Sequence, residues 1–162
     1  MSFPRWCDFD KLVEVVTSQF YADAYSVHGP RHWRCVEQNG LRLARRTGAD
    51  VLVVRLFAWF HDSRRENDFT DPAHGRRGAA FAASLRGECF ELEDAAFETL
   101  SFACAWHTDK VFSEDPTVGT CWDADRLDLG RVGIIPSGKF MSTDFGKEVA
   151  AAGSFQPWAD ET

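Results

Sequence analysis

The sequence predicts an all-α fold, and three observations carry the prediction. Apolar residues recur three and four positions apart in one segment after another. Glycine, proline and short polar runs separate those segments, and no stretch alternates apolar with polar residues as a half-buried strand would. With 162 residues, 44% of them hydrophobic and 14% aromatic, the chain holds enough core material for one domain over residues 1–162. No internal repeat or low-complexity tract is present.

Taken in order, Phe9, Leu12, Val13, Val16 and Phe20 place an amphipathic helix over residues 9–21, with Asp8 as its N-cap. Gly29-Pro30 opens a second helix, since proline suits the first helical turn, and Gly48 ends it shortly after Arg46. His32, Val36, Asn39 and Leu43 share one face, so His32 looks inward from the first turn. Asp50 can cap a third helix, an apolar run that stops abruptly on His61-Asp62. Val54, Ala58 and His61 fall at i, i+4 and i+7, so an imidazole and a carboxylate meet at a core-facing helix end. Such a pair is costly to bury unless something, such as a metal ion, satisfies it.

Residues 63–74, rich in charge and turn formers, read as a loop over that site. An alanine-rich helix follows over 75–86 and ends at Gly87. Residues 92–107 form another helix, in which Phe97, Leu100, Cys104 and His107 line one stripe. A polar loop over 109–116 leads to a helix over 117–129 with Trp122, Asp125 and Leu129 in phase. Residues 130–136 break that helix. The tail over 137–162, with four turn formers in Gly138, Gly146, Gly153 and Pro157, shows no clear pattern.

A net charge of -7 argues against a broad surface for nucleic acid or anionic lipid, although a local basic cluster can still bind a small phosphate. No apolar run approaches the roughly 18 residues a membrane span needs. Five cysteines without a CxxC spacing, and no targeting segment, point to a reduced cytoplasmic protein with structural thiols. Apolar faces alone do not separate core from interface, so a homodimer is allowed.

Helices thus begin or end with inward polar groups at His32, at His61 with Asp62, at His107 and at Asp125. His32, His61, Asp62 and Asp125 supply mixed nitrogen and oxygen donors suited to Mn, Fe, Co, Ni, Zn or Mg, with coordination positions left open for water. His28 precedes its helix and matches no ligand position. Asp123 and Asp128 flank Asp125 but point elsewhere on the helix, and Glu66 and Asp71 lie in a charged loop. Trp33 and Trp106 adjoin two of the histidines, in positions to wall a pocket.

The order His32, then His61-Asp62, then Asp125 resembles the signature of the HD-domain metal-dependent phosphohydrolases. The resemblance covers roughly residues 22–136, and the words around Pro30-Arg31-His32-Trp33 and Asp123-Ala124-Asp125 look like those of small single-domain bacterial members. It implies an HD-domain helical bundle around a metal site, with His32, His61, Asp62 and Asp125 as ligands. Asp62 would be able to bridge to a second ion. Several members add two histidines in the interval where His74 and His107 fall, and these would hold a second metal or contact the phosphate. Asp62, His74 and His107 are therefore the catalytic candidates. Arg64, Arg65 and Arg126 are candidates for phosphate binding, because a guanidinium matches phosphate oxygens bidentately. Four ligands suggest one ion; six allow two.

The activity implied is release of phosphate or pyrophosphate from a nucleotide-like small molecule by metal-activated water. The rivals are a non-catalytic nucleotide- or metal-binding module and a di-iron oxygenase. Two departures stand out. Many members carry Arg one turn after the first His, where this chain has Cys35 with Arg34 beside it, and the Gly-Tyr-Pro extension of cyclic-dinucleotide hydrolases is missing.

Overall fold

A computed structural model describes residues 4–23 and 25–161. Their helices are α1 (Phe9–Ser18), α2 (Pro30–Thr47), α3 (Val51–Phe60), α4 (His74–Leu85), α5 (Asp94–Trp106), α6 (Pro116–Arg126) and α7 (Asp144–Ala152). α3 is the axis of the bundle. Seven of its ten residues are buried, from Val53 and Val54 through Phe60, and it touches α1, α2, α4, α5 and α6. A helix with so much apolar surface, broken only by Arg55, belongs in a core, and here the other helices supply its cover.

The local start and stop signals act as the sequence suggests. The Asp8 carboxylate accepts from the Lys11 N–H at 3.1 Å, and Asp50 accepts from Val53 N–H at 3.3 Å. Pro30 occupies the first turn of α2, and Gly48 ends it in the left-handed conformation at φ 74°. Two boundaries move by three residues. α1 stops at Ser18 instead of 21, and the helix expected over 117–129 stops at Arg126, with Leu129 in a separate 3-10 turn, Leu129–Val132.

Two features escaped the sequence reading. Strands β1 (Trp6–Cys7) and β2 (Phe90–Glu91) pair antiparallel, Trp6 opposite Glu91 and Cys7 opposite Phe90. Two residues each are too few to show an alternating pattern. The tail also contains α7, capped by Thr143, whose hydroxyl accepts from Gly146 N–H at 2.9 Å. Buried Asp123 on α6 anchors that start by accepting from Ser142 N–H, Thr143 N–H and the Thr143 hydroxyl at 2.6, 2.8 and 2.7 Å. Among the described residues no helix is long and apolar enough to cross a membrane.

Candidate metal centre

Helix ends deliver one or two donors each to a single buried spot. His32 comes from the first turn of α2, His61 is the residue that ends α3, and Asp62 follows it. His74 opens α4, His107 closes α5, and Asp125 lies in the last turn of α6. α4 comes close enough because Gly75 and Gly78 lack side chains. A Cβ at Gly75 would stand 2.4 Å from the Cys104 carbonyl oxygen, and one at Gly78 would stand 2.4 Å from that of Phe60. These two contacts press α4 against the ends of α5 and α3, the ends that carry His107 and Asp62.

The donors form two groups that share Asp62. In the first, His32 Nε2 lies 3.1 Å from His61 Nε2, 3.4 Å from Asp62 Oδ2 and 3.0 Å from Asp125 Oδ1, and His61 Nε2 is 3.4 Å from both carboxylate oxygens. In the second, His74 Nε2 lies 3.0 Å from His107 Nε2, and the two stand 3.2 and 3.4 Å from Asp62 Oδ1. One oxygen of Asp62 therefore faces each group. Donor atoms about 2.1 Å from a common ion stand about 3.0 Å apart in an octahedron and about 3.4 Å apart in a tetrahedron, so the spacing fits metal coordination in both groups.

The outer ring nitrogens decide which atom each imidazole offers inward. His61 Nδ1 faces the carbonyls of Phe57 and Ala58 at 3.1 and 3.0 Å, His74 Nδ1 that of Asp71 at 2.5 Å, and His107 Nδ1 that of Cys104 at 2.7 Å. A carbonyl only accepts, so each Nδ1 carries the hydrogen and each Nε2 of a neutral ring presents a lone pair. His32 Nδ1 donates instead to Asp128 Oδ2 at 2.7 Å. In each group two Nε2 atoms face each other at about hydrogen-bond distance. A proton or a metal cation between them relieves that arrangement, and the donor set suits a divalent metal.

Electrostatics agree. Burial opposes a charge on His32, but the carboxylates of Asp125, Asp128 and Asp62 outweigh it and hold that imidazole well above its ordinary range. Burial likewise works against ionised Asp62. The neighbouring charge of His61 and hydrogen bonds from His107, His32 and His74 reverse the effect and keep its carboxyl well below the usual range. Asp125 is depressed in the same way, with His61 and His32 overriding burial. Both carboxylates are therefore anionic at neutral pH and ready to hold a cation.

The other expected site residues separate. Arg65 lies beside the centre: its side chain is 9% exposed and its Nε is 3.6 Å from Asp62 Oδ1. That Nε is buried with no hydrogen-bond partner, while Nη1 donates to the carbonyls of Asn67 and Phe69 at 3.1 and 3.4 Å. Arg64 is exposed, its guanidinium lying over the Phe81 ring at 5.0 Å, away from the donors. Arg126 donates to the carbonyls of His107, Lys110, Val111 and Phe140. It fastens the turn after His107 and does not face the donors. Arg34, the cation beside Cys35, lies over Trp59 at 5.7 Å.

Further residues take roles that the sequence left open. Asp128 orients His32, as a carboxylate commonly does for a metal-binding imidazole. His28 pairs with Asp68 at 3.0 Å in the loop, and Asp71 pairs with Arg77 at 2.5 Å. Trp33 is core, donating to the His28 carbonyl at 2.7 Å, and does not wall a pocket.

No protein-family model matches the chain, nor does any curated protein. Among solved structures, a predicted HD superfamily hydrolase from an uncultured Thermotogales bacterium is similar over 94% of this chain and 87% of that one. The TM-score is 0.70 and the identity 22%. The chain has the helical fold of the HD superfamily.

Proposed function

We propose that the protein is a divalent-metal-dependent hydrolase that releases phosphate or pyrophosphate from a nucleotide-like small molecule, and that it works with two ions. The carrying observation is Asp62, whose two carboxylate oxygens divide between two groups of imidazole Nε2 atoms. In this reading His32, His61, Asp62 and Asp125 hold one ion, and Asp62, His74 and His107 the other. His74 and His107 are then ligands, in place of the direct phosphate contact also considered for them.

When bound, such ions lower the pKa of a water and offset charge on phosphoryl oxygens. The rest belongs to the chain's own residues. The Nδ1 hydrogen bonds lock the four rings, so little reorganisation is needed when substrate arrives. Asp62 stays ionised and holds both groups of donors in register. The buried, unpartnered Nε of Arg65 adds a fixed positive charge beside the second group, where it supports a phosphoryl oxygen. Four imidazoles with two carboxylates is also a set that iron accepts, which keeps the oxygenase rival in view.

The test combines metal analysis with phosphate and pyrophosphate release from nucleotides and sugar phosphates in Mn, Co, Ni and Mg. Wild type should turn over, and Asp62→Ala should lose about 10³-fold or more while keeping its helical circular dichroism. Metal-dependent activity surviving in Asp62→Ala would sink the assignment. Two irons in the purified protein, without phosphate release, would move it to oxygenase chemistry, and metal bound without any turnover would move it to a binding module.

A further inference from the structure

The donors are closed off on most sides. Asp125 is 17% exposed, whereas His32, His61, Asp62, His74 and His107 are 4% or less. The approach to the centre is therefore at the Asp125 end of α6, where Asp128 is 20% exposed. A cavity of about 500 Å³ opens on that side, with His32 and Asp128 in its wall beside Tyr25, Val27 and Leu127. That volume suits a sugar- or nucleoside-sized group.

Two cations also line this cavity, Arg31 and Arg131. Arg31 sits in the first turn of α2, the positive end of the helix dipole, where a cation is disfavoured. No acidic residue shares that turn, and Arg31 makes no hydrogen bond or ion pair among the described residues. Nothing in the stability of the helix accounts for its charge. Arg131 is held in place: Nε donates to the Val27 carbonyl at 2.7 Å and Nη1 to the Asp128 carbonyl at 3.0 Å. Its Nη2 has no partner among the described residues. The one carboxylate in the wall, Asp128, accepts from His32 and stands 3.9 Å from Arg131 Nη1. Two guanidiniums against one already engaged carboxylate leave the cavity positive, in a chain whose net charge is -7.

We propose that this cavity seats the part of the substrate beyond the scissile phosphate, and that this part carries a second anionic group, a phosphate or a carboxylate, held by Arg31 and Arg131. The substrate class is thus a small phosphomonoester with a second, separate negative group. The assignment of the cavity to a substrate rests on the hydrolase reading; its preference for a second anion is a binding property that can be measured without turnover.

The test uses the full chain loaded with Mn and two pairs of probes matched but for the second anion. Adenosine 3′,5′-bisphosphate is set against adenosine 5′-phosphate, and 3-phosphoglycerate against glycerol 3-phosphate. Calorimetric affinity should favour the doubly anionic member of at least one pair about tenfold, and Arg31→Gln should bring that ratio close to one. A preference confined to the first pair names phosphate as the second group, and one confined to the second pair names carboxylate. No preference in wild type, or a preference that survives intact in both Arg31→Gln and Arg131→Gln, overturns the inference. Preference without phosphate release would remove the hydrolase reading and leave the anion site standing. Release without preference would do the reverse. Arg31 is exposed and unpaired, so its variant should melt at the wild-type temperature, which a thermal scan checks.

Discussion

Among the outward ring nitrogens of the centre, that of His32 alone meets a carboxylate, Asp128, where His61, His74 and His107 meet carbonyls. Burial works against a charge there, but Asp125, this partner and Asp62 together hold the pKa of the His32 imidazole well above its ordinary range. Without metal, the raised value stabilises the fold fully below the unfolded pKa, and that contribution fades as pH climbs through the folded one. Metal affinity runs the other way, because the ion must displace the His32 proton. Affinity should rise about tenfold per pH unit while the pH lies below the raised His32 pKa and level off once that pKa is passed. Metal titrations across that window check it, and a flat profile would show that His32 is not a ligand. The four residues His32, His61, Asp62 and Asp125 were legible in the sequence, because helical phase says which way a side chain faces. The Asp128 bond was not, since its partner lies 96 positions away. The same limit hid the carbonyl cradle that holds Arg126.

At the scale of elements, α4 shows how the backbone brings the second donor group together. Gly78→Ala would put a methyl group 2.4 Å from the Phe60 carbonyl oxygen, a backbone atom that cannot swing aside. The variant should lose about 1–3 kcal/mol of stability, and the retreat of α4 should carry His74 away from Asp62. Metal analysis should then find about one equivalent in place of the proposed two, alongside a lowered Tm. Unchanged stability and stoichiometry would show that α4 does not position the site. The sequence placed α4 well, from its alanines and flanking glycines, but nothing local says that Gly75 and Gly78 face other helices' carbonyls. α7 was missed for a related reason. Three hydrogen bonds to buried Asp123 hold its start, and its apolar residues Phe145 and Val149 have meaning only against the neighbours they cover.

For the whole molecule, metal and fold should be coupled, because six donors from five helix ends converge only in the native state. Chelation should lower the Tm by about 5–10 °C relative to protein with metal at about 100 times its Kd, and readdition should restore it. Asp62→Ala should show a much smaller shift; equal shifts in both proteins would place the stabilising ion elsewhere. The sequence by itself determined an all-α chain, the order and most of the boundaries of its helices, and which donor types stand at their buried ends. Those properties depend on periodicity and capping, which act over a few residues. Only the tertiary structure decided that Asp62 divides its oxygens between two groups, which nitrogen each ring offers, that Arg65 stays near the centre while Arg64 and Arg126 do not, and that Arg31 and Arg131 share a cavity. Those depend on contacts between distant parts of the chain, made when the helices pack around α3.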